Sequence, residues 1–231
     1  MEMMTEKITV DVVSDVACPW CYVGKRRLEA AIEQWQGAEI VVNWHPYQLD
    51  PTMPEEGFTR DEYLVNKFGS IEKMQSMTDH LTAVGKEVGI DFDFGENWMS
   101  VNTLHLHQLL HVAGQEGFKD QLKERLLKAY FVDLDRLNNK EVLYSILSDF
   151  GWESNKVDLV INDKEIATAV QQQIAHSQKI GVTGVPYFII NNKYAISGAQ
   201  PSSVFLETFN KLTSLESIIK GDSCDTSTGD C

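Results

Sequence analysis

Cys18-Pro19-Trp20-Cys21 follows directly on the apolar run Ile8 to Val16 and leads directly into a helical pattern. Two thiols at this spacing, set between a strand and a helix start, restrict both the fold and its chemistry. The strand aims the first cysteine outward. The first helical turn offers unsatisfied backbone N–H groups and the positive end of the helix dipole, which favour an ionised sulfur. Cys18 is therefore the expected attacking sulfur, and Cys21, one turn along the same face, is placed to close a disulfide or release a mixed one. Pro19 suits the first turn, where its missing N–H costs nothing, and stiffens the short ring.

C-x-x-C is also half of a zinc site. The other cysteines, Cys224 and Cys231, are separated by Asp-Thr-Ser-Thr-Gly-Asp, longer than a usual zinc knuckle. Pro19 stands where a knuckle more often has a permissive residue. No metal is expected, although the spacing alone leaves one open.

The chain has 231 residues, with 20 Lys+Arg against 34 Asp+Glu and a net charge of -14, which makes nucleic acid and anionic membranes poor partners. Met1 to Lys7 is too polar and acidic for the start of a signal peptide, and no apolar run reaches the roughly eighteen residues of a membrane span. Four cysteines in two close pairs, in a chain long enough not to need staples, read as redox-active or metal-binding in a reducing compartment. A cytoplasmic location is expected.

Ile8, Val10 and Val12 alternate with polar or opposite-facing residues and read as a strand. Tyr22, Val23, Leu28, Ala31, Ile32 and Trp35 recur on a helical face, and Ile40 to Trp44 forms a second strand. From about Thr59 to Gln178 no convincing strand is found. Thr59-x-x-Glu62 and Asn138-x-x-Glu141 have the form of helix caps, Leu122, Leu126, Leu127 and Tyr130 have core spacing, and the last helix of this block, Ile161 to Lys179, has a break near Asn162-Asp163. Pro186 to Ile190, Asn191-Asn192 and Lys193 to Ser197 form a hairpin, followed by a helix from Ser202. The fold class is α/β: a mixed sheet, βαβ then ββα, with a large all-helical insertion. The corresponding division is residues 1–58 with 180–220 as the sheet domain, 59–179 as the insertion, and 221–231 as a flexible tail.

Pro186 opens a strand, where a proline leaves no ladder donor unpaired, and the backbone of Val185 would offer an edge to an extended substrate beside Cys18. Taken together, Cys18-Pro19-Trp20-Cys21-Tyr22-x-Gly24-Lys25 and Gly181-Val182-Thr183-Gly184-Val185-Pro186 resemble the DsbA-like thioredoxin superfamily, most closely its cytosolic FrnE-type branch. Trp44-x-Pro46-Tyr47-Gln48-Leu49-Asp50-Pro51, Asn102-Thr103 with His107, and Lys128-Ala129-Tyr130-Phe131 extend the resemblance over essentially the whole chain. It implies a thioredoxin core with a helical lid, a cis bond before Pro186, and thiol–disulfide exchange carried by Cys18. His45 stands where that branch usually has arginine, and Leu106 where it has alanine, a change expected to narrow the cleft.

The expected substrate-binding residues are Pro19, Trp20, Val185, Pro186 and His107, the last as a cleft-lining residue that tunes the thiolate. Asp15 caps the turn before Cys18 or relays a proton from Cys21. Cys224 and Cys231 form an auxiliary redox pair or an inert tail. The expected activity is that of a thiol–disulfide oxidoreductase or disulfide isomerase acting on protein or peptide disulfides. No bound cofactor is expected, and glutathione or another cellular thiol would serve as reductant. Two alternatives remain: glutathione-dependent transfer or isomerisation of small electrophiles, in relatives that usually carry serine at the first position, and a redox-regulated chaperone-like binding module.

Overall fold

The computed structural model describes residues 7–63 and 71–220. Cys224 and Cys231 lie outside the described residues.

The first strand, β1 (Ile8–Ser14), buries Ile8, Val10 and Val12, the residues whose alternation marked it. The helix that follows, α1 (Pro19–Gln34), has Cys18 as its N-cap with extended backbone and Pro19 in its first turn. Next, β2 (Ile40–Pro46) pairs parallel to β1, with Val12 opposite Trp44. The sheet is completed by β5 (Tyr187–Ile190), antiparallel to β1 with Val12 opposite Phe188, and by β6 (Tyr194–Ser197), antiparallel to β5. The order is β2-β1-β5-β6. Asn191 and Asn192, at φ 48° and 52°, make the hairpin turn, and the Asn191 side chain accepts the Thr9 N–H at 2.7 Å. The final helix, α8 (Ser202–Lys220), places Phe205, Phe209 and Leu212 against Leu28 and Ala31 of α1 and the apolar face of β1.

Between β2 and β5 lies the helical block: α2 (Ile71–Glu87), α3 (Leu104–Gln115), α4 (Lys119–Phe131), α5 (Lys140–Ser148), α6 (Ser154–Asn162) and α7 (Lys164–Lys179). It has its own core, built on Leu106, Leu109, Leu122, Leu126, Leu127 and Phe131. Val16, Tyr22 and Val23 also belong to this second core, whereas Leu28 and Ala31 belong to the first. The opening turns of α1, with both thiols, therefore sit at the seam between the two cores.

Three expectations are corrected here. The region read as strandless contains a two-residue ladder, β3 (Phe58–Thr59) with β4 (Met99–Ser100). Gly57 permits it: its φ is +72°, and a Cβ there would meet the Ser100 carbonyl oxygen at 2.2 Å. The cap of α5 is Asn139, which accepts the Glu141 N–H at 3.0 Å, while Asn138 donates to the Glu56 carbonyl instead. The break near Asn162-Asp163 divides two full helices, because Asp163 caps α7 by accepting the N–H groups of Glu165 and Ile166. Thr59 and Glu62 do make the reciprocal capping contacts, but the helix expected to run on to Phe68 extends outside the described residues.

Candidate active site

Cys18 and Cys21 are free thiols, 3% and 1% exposed. The Cys18 thiol donates to the Val185 carbonyl oxygen, Sγ to O 3.5 Å, which joins the start of α1 to the segment before β5. The Val185–Pro186 peptide bond is cis. Cys21 lies behind Cys18, with its backbone N–H on the Cys18 carbonyl at 3.0 Å. Burial, together with its hydrogen bond to the Cys18 sulfur, pushes the Cys21 thiol well above the usual thiol range.

Although Cys18 is nearly covered, it lines a cleft of about 260 Å³. Pro19, Trp20 and Val185 share that lining with Tyr63, Leu81, Phe94, Trp98 and Phe131, and Leu49 and Met77 are exposed at it. Among the described residues Arg60 is the charged residue of the lining, and its Nε is buried without a hydrogen-bond partner there. The cleft is lined mostly by apolar side chains and brings them next to the Cys18 thiol.

His107 is not in this lining. The start of α3 carries it inward, where it is 3% exposed and its Nε2 lies 2.8 Å from the Tyr47 carbonyl and 3.2 Å from Asp15 Oδ1. Two acceptors on one ring nitrogen require the proton to be there. Burial lowers the His107 pKa below its ordinary value, and the ring is a neutral donor. Asp15, expected as a turn cap or proton relay, accepts the Ala17 N–H at 3.4 Å and the Leu49 N–H at 2.8 Å. Burial raises its carboxyl, but the bonds from His107 and Leu49 outweigh that and leave it below its ordinary value. His45 bonds Asp11 at 2.9 Å. Leu106 is fully buried in the helical core and, contrary to expectation, does not narrow the cleft.

Lys123 escaped the sequence reading. It is 1% exposed, and burial lowers its pKa below the ordinary lysine value, opposed by the charges of Cys21, Asp15 and Cys18. A signal was present, since Lys123 lies on the helical stripe of Leu126, Leu127 and Tyr130 and so had to face the core.

A thiol pair at the first turn of a helix, facing the backbone before a strand-opening proline, defines a site of the thioredoxin-fold class, which includes oxidoreductases and isomerases. The chain belongs to the DSBA-like thioredoxin domain family, whose model matches residues 9–210. It is similar to a protein from Streptomyces coelicolor described as a probable DsbA oxidoreductase, at 31% identity and TM-score 0.81 over 88% of this chain and 89% of that one. The fold is shared with a 2-hydroxychromene-2-carboxylate isomerase, at 12% identity and TM-score 0.69 over 91% and 99% of the two chains. It is shared also with the cytosolic disulfide reductase DsbM from Pseudomonas aeruginosa, solved with GSH, at 18% identity and TM-score 0.60 over 88% and 99%. Among the described residues, no helix is long and apolar enough to cross a membrane.

Proposed function

We propose that the protein is a cytoplasmic thiol–disulfide oxidoreductase acting on peptide and protein disulfides. One observation carries the reading: Cys18 both lines the apolar cleft and touches the Val185 carbonyl, with Cys21 directly behind it. A disulfide whose flanking residue enters the cleft presents its sulfur to Cys18, and its backbone can pair with that of Val185. Cys18 thiolate attacks, the substrate S–S bond breaks, and the first substrate sulfur leaves as a thiolate that takes a proton. Cys21 then loses its proton and attacks Cys18, forming the Cys18–Cys21 bond and releasing the second substrate thiol. Two electrons pass from the dithiol to the substrate. A cellular thiol such as glutathione restores the dithiol, and no nucleic acid or membrane takes part. Cys224 and Cys231 act as an auxiliary pair that exchanges with the first.

Cys18→Ser is expected to abolish insulin reduction, and Cys21→Ser to accumulate a mixed disulfide on Cys18 that mass spectrometry identifies. Full activity in Cys18→Ser would overturn the assignment. Alkylation and mass mapping during turnover checks the auxiliary pair, which requires a link from Cys18 or Cys21 to Cys224 or Cys231. The fold shared with the chromene-carboxylate isomerase supports a second reading, glutathione-dependent isomerisation of a small electrophile in the same cleft. That reading predicts turnover that survives loss of Cys21.

A further inference from the structure

The two-residue ladder of β3 and β4, which Gly57 permits, ends at the cleft. Phe58 pairs with Ser100 and Thr59 with Met99, so the next residues along the two strands, Arg60 and Trp98, meet at its end. Both line the cleft that Cys18 lines. Each also carries a buried N–H without a hydrogen-bond partner, Nε of Arg60 and Nε1 of Trp98. Leaving a buried donor unpaired is costly, and two of them at one end of a ladder, on residues lining one cleft, mark a place for an acceptor from outside the chain.

Trp98 is 8% exposed, and its ring is packed edge to face with Tyr63 and Tyr130 at centroid distances of 5.5 Å and 5.8 Å, which fixes where its N–H points. The Arg60 guanidinium gives Nη1 to Asp61 at 3.3 Å, a side chain 82% exposed and outside the lining. Among the described residues no carboxylate lines the cleft, so the Arg60 charge stands in a mostly apolar surround. A charge in such a place favours an ionised acceptor over a neutral one, because charge-assisted hydrogen bonds are roughly twice as strong and the local dielectric is low.

The volume bounds the occupant. At about 260 Å³ the cleft is smaller than the roughly 300–1,000 Å³ of pockets that enclose a whole small ligand, and it suits a side chain of a longer substrate. Leu81, Phe94 and Phe131 offer apolar surface to the methylenes of that side chain. The net charge of -14 repels acidic chains at long range, so a preference for one must arise from contact inside the cleft.

We propose that the cleft selects peptide disulfides flanked by an acidic residue, whose carboxylate accepts from Arg60 Nε and Trp98 Nε1 while its methylenes lie on the apolar lining. The inference rests on the exchange reading above and names the substrate class for it. Arg60 and Trp98 determine specificity and take no part in the exchange of sulfurs.

Two synthetic peptides test the assignment, identical but for Glu or Gln beside a cysteine held as its disulfide with mercaptoethanol. For the wild type, kcat/KM for reduction is expected to be at least about tenfold higher with Glu. Arg60→Met is expected to bring that ratio below about twofold, and Arg60→Glu to turn the preference toward a third peptide with Lys at the same position. Trp98→Phe removes the N–H, keeps an aromatic ring, and should lower the ratio about threefold. Ratios taken within one enzyme cancel a general loss of activity, and the wild-type ratio decides by itself if a variant does not fold. A wild-type ratio near one, or an unchanged ratio in Arg60→Met, would overturn the proposal while leaving exchange standing. Preference for dithiodipropionate over its diamide without preference between the peptides would also overturn it, by giving the site to a small acid. Failure of the wild type to form a mixed disulfide with any of these probes would overturn the exchange reading and this proposal with it.

Discussion

The Cys18 thiol donates to the Val185 carbonyl oxygen across 3.5 Å, a contact between residues 167 apart in the chain. It holds the Cys18 sulfur against the backbone before β5, which the proposed exchange reaction assigns to substrate pairing. Anything that moves either partner alters the geometry at Cys18, and Gly24 packs against Pro186, the residue after Val185.

Gly24→Ala is expected to destabilise the protein by about 1 kcal/mol and to lower exchange activity. A Cβ there would lie 2.9 Å from Pro186 Cγ and 3.1 Å from Phe188 Cζ. Alanine improves helix propensity by about 1 kcal/mol, but overpacking typically costs about 1–3 kcal/mol, and the fully buried Phe188 has little room to yield. Urea unfolding and insulin turnover on the same variant measure both effects.

Glu124→Gln should weaken the attachment of α1 to the helical block. Glu124 lies 3.0 Å from Lys25 Nζ, accepts from the Tyr22 hydroxyl at 2.8 Å and pairs with Arg26. Lys25 is 3% exposed, so without the Glu124 charge its ammonium depends on Glu29 and the more distant Asp120. A loss of about 1–3 kcal/mol is expected, read as a lower urea midpoint at unchanged slope.

Stability should fall with pH below 6.5, the ordinary histidine value, because His107 has a lower pKa in the folded protein. Between that value and 6.5 the unfolded chain binds more protons, so acid favours unfolding; above 6.5 this contribution is complete. His105 and His111, also lowered by burial, act in the same direction. Asp15 adds a second loss below its ordinary 3.8, as pH falls through its depressed folded value. His107→Gln should flatten part of the upper slope in urea titrations at stepped pH.

Met77→Glu tests the cleft as a receptor for apolar flanking residues. Met77 is 47% exposed at the lining, so the change should leave stability nearly unaltered. It is expected to lower kcat/KM several-fold for a denatured protein disulfide and to spare a small neutral disulfide such as hydroxyethyl disulfide. Equal effects on the two substrates would remove the cleft from substrate selection.

The sheet was legible because Ile8, Val10 and Val12 alternate over enough residues to show their period, and because Asn191-Asn192 suits a turn that needs two positive φ angles. The Phe58–Thr59 ladder was not, since two residues have no period. Its enabling residue, Gly57, is recognisable only when the Ser100 carbonyl is seen against it. The choice of Asn139 over Asn138 as cap depends on where the backbone turns, which two adjacent asparagines do not reveal. Cys18, Trp20 and Val185 are neighbours of the cleft, but His107 is held away from it by Asp15 and Tyr47, residues distant in sequence. Lys123 was hidden for the same reason, because its electrostatic partners come from α1 and the end of β1.

β1 and β5 are neighbours in the sheet, yet the whole helical block is encoded between them. A ribosome therefore makes Cys18 long before the residues that cover it. Until Val185 emerges, one wall of the cleft and an adjoining strand are missing, and the nascent chain carries Cys18 uncovered. Resistance of that sulfur to alkylation is accordingly a late property of the growing polypeptide, gained when the last strands join the sheet.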